Sequence, residues 1–208
     1  MRVAALMADG RCQGTKERIM AETLSPHLSA PAASGTTGAG AGACIISSEI
    51  GTADRQAVLD LFARSSPDTR RERFHGALSV FPQRYLEEIL GGRQLALVAR
   101  DTCHEESRDK VFGLASAAPV EPGIAEFAVW VEDAYQGHGV GSLLVRAILR
   151  LLAEHGMCMA VGIMEPDNLA IRRLVSRIAP GAATRSEDGM IVVSIPLKDP
   201  AAVPEVRS

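Results

Sequence analysis

Residues 129–141 read VWVEDAYQGHGVG and carry the strongest structural signal in the chain. An apolar run typical of a strand leads into them, and a pattern with helical spacing follows at once. The turn between strand and helix contains glycines at positions 137, 139 and 141. Glycine lets a backbone approach a ligand closely, and the free N–H groups of a helix start carry partial positive charge. The turn therefore predicts a binding site for a phosphate or pyrophosphate.

Two common phosphate-binding patterns do not fit this turn. A P-loop requires Lys and then Ser or Thr after its glycines, and no such pair follows Gly141. A dinucleotide-binding turn requires GxGxxG after the first strand of its unit, whereas this turn comes late in the chain and has the spacing GxGxG. The pattern that does fit is Q/R-x-x-G-x-G/A, formed here by Gln136, Gly139 and Gly141.

Strand and helix patterns alternate on both sides of the turn. After it, the spacing of apolar residues predicts a helix over 140–155, a buried strand over 157–164, a helix that begins at Asp167 or Asn168, and a last strand over 190–195. Antiparallel strands followed by a strand-helix-strand unit predict a mixed α/β sheet. Upstream, we expect strands at 44–46, 95–99, 111–117 and 125–131, and helices after Thr52 and over 82–90.

The turn and the elements around it resemble the GNAT superfamily of N-acetyltransferases. The helix after the glycines, the apolar strand and the opening Glu165-Pro166-Asp167-Asn168 of the next helix follow in the family's order. The resemblance covers roughly residues 44–197 and is most specific over 125–174. It implies the GNAT fold, a mixed, mostly antiparallel twisted sheet flanked by helices. It also implies acetyl-coenzyme A as co-substrate, without a metal.

The resemblance also assigns cofactor contacts to the strand, the turn and the helix start. In the family, this loop binds the pyrophosphate of acetyl-coenzyme A, and the preceding strand lies along the pantetheine arm. A backbone N–H of that strand usually stabilises the thioester oxygen, as oxyanion donors do in other enzymes. The cofactor-binding residues implied here are Val129, Trp130, Val131, Gln136, Gly137, His138, Gly139, Val140, Gly141, Ser142 and Asn168.

Acetyl transfer needs an unprotonated amine, and a free lysine has a pKa of about 10.4. A carboxylate can accept the surplus proton. Glu126 lies in an otherwise apolar strand, on the face that strand alternation gives to Ala128 and Trp130. Its place ten residues before Gln136 resembles that of the catalytic glutamate in several protein acetyltransferases. We predict that Glu126 is the general base; the alternative is an ion pair with Arg100.

The general acid is harder to assign. Many family members place a tyrosine seven residues after the asparagine, and here that position is Val175. Ser176 is adjacent and is expected on the helix surface. Because the thiol of coenzyme A has a modest pKa, departure as a thiolate without an acid is consistent with this sequence. Two further acids, Glu132 and Asp133, are expected in a solvated turn at the strand exit.

A second resemblance bears on the acceptor. Residues 61–74, LFARSSPDTRRERF, are similar to the F-x-x-[LS]-S-P-x-[ST]-x-x-x-R-F segment of bacterial protein-lysine acetyltransferases of the Pat type. This similarity favours a protein lysine as acceptor. One alternative is a small-molecule amine such as an aminoglycoside, a polyamine or an amino acid. Another is a non-catalytic regulator that binds acyl-coenzyme A, in line with the missing tyrosine. Arg70, Arg71 and Arg73 either contact an acidic substrate or form a solvated helix face.

Composition limits the other classes of function. The 208 residues carry a net charge of −3, which argues against a general nucleic-acid binder. No apolar run approaches the roughly 20 residues that span a bilayer, and the first residues do not resemble a signal peptide, so we expect a cytoplasmic protein. The four cysteines form no CxxC pair, and Cys103-His104 with its following acids is more simply a polar loop than a metal site. The sequence predicts no oligomeric state.

Composition also suggests where the domain lies. Residues 31–43 read PAASGTTGAGAGA, which is typical of a flexible segment. We therefore expect a flexible tail over 1–43, an acetyltransferase domain over 44–198 and a short polar tail over 199–208.

Overall fold

An eight-stranded sheet forms the centre of the structure, a computed structural model that describes residues 38–40, 43–101 and 110–197. The strand order is β1-β2-β3-β4-β5-β6-β8-β7. Every neighbouring pair is antiparallel except β5 and β6, which are parallel. The predicted mixed, mostly antiparallel sheet is therefore confirmed. The strands are β1 (Gly38–Gly40), β2 (Ala43–Glu49), β3 (Leu95–Asp101), β4 (Val111–Glu121), β5 (Ile124–Val131), β6 (Met159–Met164), β7 (Ala183–Glu187) and β8 (Met190–Pro196).

Helices cover both faces of this sheet. One face carries three short helices, and their apolar residues form a cluster with Val98, Leu114 and Trp130 of the strands. The other face carries the long helix and the last helix, which pack on Ala115 and Phe127. Alternating strand residues thus serve two separate cores. The helices are α1 (Arg55–Arg64), α2 (Pro67–Phe74), α3 (Gln83–Leu90), α4 (Val140–Glu154) and α5 (Leu169–Ile178).

Trp130 anchors the first of these cores. Its side chain is 2% exposed, and its indole N–H donates a hydrogen bond of 3.0 Å to the hydroxyl of Ser65. The indole ring stacks on Phe81 and meets Phe62 edge to face, with both pairs of ring centres 6.1 Å apart. Such aromatic pairs contribute about 0.5–1.5 kcal/mol beyond the area they bury. The α1–α3 layer is therefore tied to the middle of β5.

The parallel pairing of β5 with β6 is short. It comprises Ile124 with Met159, Ala125 with Ala160, and Glu126 with Val161. Beyond that point β5 runs on to Val131 and β6 to Met164, and the two strands no longer pair with each other. The sheet therefore opens in its middle, on the side that leads to the glycine turn.

The structure differs from the sequence expectations at four places. The first is β1 (Gly38–Gly40), a strand within the segment that was expected to be a flexible tail. Ala183–Glu187 forms β7, which the sequence did not predict because its residues are polar and mostly exposed. Thr52 does not cap a long helix; Thr52–Asp54 is a 3-10 turn, and α1 begins at Arg55. The polar segment with the three arginines is the helix α2.

Parts of the sequence expectations lie outside the described residues. These are most of the predicted N-terminal tail, the C-terminal tail and the segment with Cys103 and His104. In the part of the chain that the structure describes, no helix has both the length and the apolarity needed to cross a membrane.

Candidate functional site

The opening between β5 and β6 exposes backbone hydrogen-bonding groups. The N–H of Glu132 donates to the carbonyl of Phe112 at 2.9 Å, so alternate β5 residues before it direct their peptide groups to β4. The intervening residues Phe127, Val129 and Val131 therefore direct their N–H and C=O groups toward the opening. An extended ligand with amide groups could pair with this side of β5.

The glycine turn lies at the end of β5 that borders the opening. Gly137 and Gly139 have φ of 76° and 87°, which side chains of L-residues rarely allow. Gly139 is the N-terminal cap of α4 and offers no side-chain acceptor. Among the described residues, no acceptor meets the backbone N–H groups of residues 137–142. This exposed helix start is suited to an anion such as a pyrophosphate.

The side chain of Gln136 stabilises the same turn through hydrogen bonds. Its side-chain amide donates to the carbonyl of Val131 at 3.1 Å and to the hydroxyl oxygen of Thr69 at 3.2 Å. Its backbone N–H donates to the carbonyl of Asp133 at 3.2 Å. The side chain of Gln136 thus links the strand, the turn and α2, and leaves the backbone of the turn open.

Asp133 lies in an exposed 3-10 turn at the exit of β5, as expected, but its carboxylate is engaged in hydrogen bonds. Its carboxylate accepts hydrogen bonds from the backbone N–H of Ser66 at 2.8 Å, from the Ser66 hydroxyl at 2.7 Å and from the Thr69 hydroxyl at 2.8 Å. Burial raises the pKa of the Asp133 carboxyl, but these hydrogen bonds outweigh it and hold the pKa below its ordinary value. The Ser-Pro-Asp-Thr segment therefore ties α2 to the exit of β5.

Glu132, unlike Asp133, contradicts the expectation of a solvated turn. It is only 7% exposed, and its carboxylate pairs with Nε of Arg64 at 3.0 Å and with Nζ of Lys110 at 3.4 Å. Arg64 also donates to the carbonyl of Val111 at 2.7 Å. The side chains of Arg64 in α1 and of Lys110, just before β4, thus both reach the end of β5. Glu132 is engaged in structure and does not face the opening as a free carboxylate.

Glu126 lies at the vertex of the opening, because it is the last β5 residue paired with β6. Its side chain is exposed, and among the described residues none forms an ion pair or side-chain hydrogen bond with it. The alternative partner, Arg100, instead pairs with Asp54. An accessible carboxylate at this vertex could accept a proton from a bound molecule.

A polar cluster missed by the sequence analysis lies on the same face of the sheet as Glu126. Arg73 donates to the hydroxyl of Tyr85 at 2.8 Å and to the hydroxyl of Ser116 at 3.3 Å, and Tyr85 donates to Ser116 at 3.0 Å. Ser116 pairs with Ala128, which follows Glu126 by two positions on β5. The cluster is therefore next to the vertex. The one sequence signal for it was Ser116, a serine within a long apolar strand.

The helix α2 also reaches the far side of the opening. Nη1 of Arg71 pairs with Oε2 of Glu165 at 2.5 Å, just after the end of β6. Burial raises the pKa of Glu72, and the nearby carboxylates of Glu165, Asp167 and Asp68 raise it further, while the charge of Arg71 lowers it. Carboxylates of Glu72, Glu165 and Asp167 thus lie on this rim of the opening, together with the guanidinium of Arg71.

Asn168 and Val175 have clear structural roles. Asn168 is the N-terminal cap of α5, and its side-chain oxygen accepts from the N–H of Ile171 at 3.0 Å. Val175 is 5% exposed and packs in the core, and the Ser176 hydroxyl donates to the carbonyl of Arg172 at 3.0 Å. Neither Val175 nor Ser176 offers a proton donor to the opening, so a side-chain general acid is not supplied from this part of α5.

The remaining predicted cofactor contacts surround the mouth of the opening. His138 is exposed in the turn, and Val140 is buried at the start of α4. A Cβ on Gly141 would lie 3.5 Å from Leu174, so α5 packs closely on this turn. Trp130 differs from its neighbours, since its side chain is in the core. Within the described ranges, no group of three His, Cys, Asp or Glu side chains could hold a metal ion.

Comparison with known proteins gives consistent results. Residues 56–177 match the model of the acetyltransferase (GNAT) family. Over 125 residues the chain is 29% identical to acetyltransferase PA5475 of Pseudomonas aeruginosa. The matched region is 58% of this chain and 66% of that protein, just under two thirds of its length.

Many solved structures resemble the fold, and two of them illustrate the likeness. The GNAT domain of S. lividans PAT gives a TM-score of 0.64 at 18% identity, covering 74% of this chain and 90% of that one. The structure of yncA from Salmonella typhimurium, solved with acetyl-CoA, gives 0.57 at 18% identity, covering 77% and 98%. At these identities the two structures establish a shared fold.

Proposed function

We propose that this chain, which belongs to the GNAT family of acetyltransferases, moves the acetyl group of acetyl-coenzyme A to a primary amine, with a protein lysine as the acceptor. The observation that carries the proposal is the opening of the sheet directly after Glu126, with the glycine turn at its other end. One opening thus joins an anion site, a row of unpaired peptide groups and an accessible carboxylate.

The residues fit the parts of acetyl-coenzyme A in order. The N–H groups of residues 137–142 would hold the pyrophosphate, as the helix start favours negative charge. The peptide groups of Phe127 and Val129 would pair with the amides of the pantetheine arm, whereas the carbonyl of Val131 already accepts from Gln136. The side chain of Trp130 takes no part, and Asn168 keeps the start of α5 beside the arm. The coenzyme supplies an activated acetyl thioester.

The chemistry then needs two contributions from this chain. Glu126 accepts the surplus proton of the acceptor ammonium, directly or through a water, so that the neutral amine can attack the thioester carbon. A backbone N–H of β5 near Val129 donates to the carbonyl oxygen, where negative charge develops. The new bond is the amide C–N bond, and the bond that breaks is C–S. The thiolate departs without a side-chain acid from position 175, and it takes up through solvent the second proton, which the nitrogen loses as the amide forms.

Three features support a lysine acceptor. The carboxylates near Glu72 would attract a cationic group. The Ser66–Thr69 segment, similar to that of Pat-type enzymes, holds α2 over the opening through Asp133. The GNAT domain of S. lividans PAT shares the fold. The same carboxylates would also attract a polyamine or an aminoglycoside, which makes a small-molecule amine the second candidate.

The test is an acetyl-transfer assay with a labelled acetyl group. The protein would be incubated with labelled acetyl-coenzyme A and a lysate of its own cells, and label would be followed into protein and small-molecule fractions. Glu126→Gln is the variant, and Glu154→Gln, at an exposed glutamate that ends α4, is the matched control.

We expect label in protein with the wild type and the control, and a loss of label with Glu126→Gln. Label only in small molecules would shift the acceptor to a metabolite or antibiotic amine. Tight binding of the coenzyme without any transfer would favour the non-catalytic regulator. Equal transfer by Glu126→Gln and wild type would remove Glu126 as the base while leaving the reaction in place.

A further inference from the structure

The exposed face of α5 carries a concentrated positive charge. Arg172, Arg173 and Arg177 lie together around a shallow depression that Leu169 and Ser176 also line. We call these three residues the arginine face. Arg173 and Arg177 are four positions apart on the helix, a spacing at which like charges repel. The net charge of the chain is −3, so a basic composition does not account for this cluster.

The arginine face brings together three arginines that lack acidic partners. Within the described residues, no carboxylate pairs with Arg172, Arg173 or Arg177. Arg172 donates only to the carbonyl of Pro166, at 3.4 Å. By contrast, six arginines elsewhere have carboxylate partners: Arg55, Arg64, Arg71, Arg84, Arg100 and Arg185. The uncompensated charges indicate a site for an anionic ligand.

The arginine face is continuous with the glycine turn. Nη2 of Arg177 donates to the hydroxyl of Ser142, in the first turn of α4, at 2.9 Å. Leu174 of the same helix packs beside Gly141. An anion held by the free N–H groups of residues 137–142 would thus have the guanidinium groups of α5 beside it. A ligand that carries two separate anionic groups on one small skeleton fits this arrangement.

We propose that the arginine face binds the 3′-phosphate of coenzyme A and makes the enzyme select the complete coenzyme over forms that lack this phosphate. The inference rests on the proposed function, since it takes acetyl-coenzyme A as the co-substrate. The 3′-phosphate is carried by the same ribose as the pyrophosphate, so a coenzyme seated at the turn brings it near α5. A phosphate monoester carries close to two negative charges at neutral pH, and guanidinium forks match its geometry.

The test compares acetyl-coenzyme A with acetyl-3′-dephospho-coenzyme A. Calorimetry would give the Kd of both molecules for the wild type, for Arg173→Gln/Arg177→Gln and for Arg150→Gln. Arg150 lies on α4 and has no described acidic partner, which makes it the control. Because binding is measured without an acceptor, the result does not depend on knowing the amine.

We expect the wild type and the control to bind the complete coenzyme about 10- to 100-fold more tightly, as charge-assisted hydrogen bonds to one group allow. The double variant should lose this preference, with the Kd of the dephospho form unchanged. The preference should also shrink as salt concentration rises. Equal binding of both molecules by the wild type, or an equal loss of both in the variant, would overturn the inference. Failure of the wild type to bind either molecule would instead overturn the proposed function.

Discussion

The carboxylate of Asp133 accepts hydrogen bonds from both the backbone N–H and the hydroxyl of Ser66, at 2.8 and 2.7 Å. Sixty-seven positions of sequence separate the two residues. The contact joins the N-terminus of α2 to the exit of β5, next to the glycine turn. The Ser-Pro-Asp-Thr segment therefore has a physical role that does not depend on any substrate. Its hydrogen bonds hold the start of α2 against the end of β5.

Asp133→Asn should destabilise the protein at neutral pH by about 1 kcal/mol, since the residue is partly exposed and water can replace lost hydrogen bonds. The folded-state pKa of Asp133 lies below its unfolded value, so its contribution is present at neutral pH and is lost as pH falls below about 4. Urea unfolding at pH 7 and pH 3 would measure this. The difference in the free energy of unfolding between Asp133→Asn and the wild type should be smaller at pH 3 than at pH 7. Asp188→Asn, in the β7–β8 turn, is the control and should show no such change.

Gly139→Ala should weaken coenzyme binding and cost about 1–2 kcal/mol of stability, because an alanine is strained at a φ of 87°. No atom lies within 4 Å of the added Cβ, so the effect is one of backbone conformation and not of a clash. Calorimetry and thermal unfolding would measure the two quantities. Gly181→Ala is the matched control, since that glycine also has open space and no left-handed backbone. Equal behaviour of the two variants would contradict the assigned geometry of the turn.

Glu126→Gln should lower kcat most strongly near neutral pH, where the acceptor amine is mostly protonated. The deficit should shrink as pH rises toward the pKa of the amine, because a base is then no longer needed. The Kd of acetyl-coenzyme A should not change. A pH–rate profile of variant and wild type would test this. A deficit that is constant across pH would assign Glu126 a role in positioning and not in proton transfer.

Ser65→Ala should destabilise the protein by about 1–3 kcal/mol, because it leaves the buried indole N–H of Trp130 without its acceptor. Trp130 is the single tryptophan of the chain, so its fluorescence reports directly on this core. We expect a lower urea midpoint, with native emission that stays at short wavelength. Ser79→Ala, at an exposed serine, should leave the midpoint in place.

The part of the site that local sequence encodes could be predicted. The strand, the turn and α4 follow one another without a break, and their order alone predicts an anion site at the glycines. The strand alternation that sets Glu126 on the face of Trp130 is also local, and the structure has the same alternation in Glu126, Ala128 and Trp130. These features depend on short-range periodicity and on the backbone freedom of glycine, which a sequence displays directly.

The contacts that could not be predicted join distant segments. The hydrogen bonds of Glu132 and Asp133 could not be predicted, because their partners, Arg64 and Ser66, are 67 or more positions away. Tyr85 gave no signal, since its link to Arg73 and Ser116 exists only when α2 and α3 pack on β4. The polar strand β7 was missed for the same reason: it is held by pairing with β8 and not by its own apolar pattern.

The opening between β5 and β6 lies in the middle of the sheet, where a folded chain usually keeps its most protected hydrogen bonds. Until a guest arrives, water must satisfy the peptide groups there. A guest that binds only the folded state stabilises it by RT ln(1 + [L]/Kd), about 2.7 kcal/mol at a hundredfold excess. The lifetime of this protein in a cell should therefore rise with the concentration of the molecule that binds in the opening. When that molecule is scarce, local unfolding that begins between β5 and β6 would make the chain more accessible to proteases.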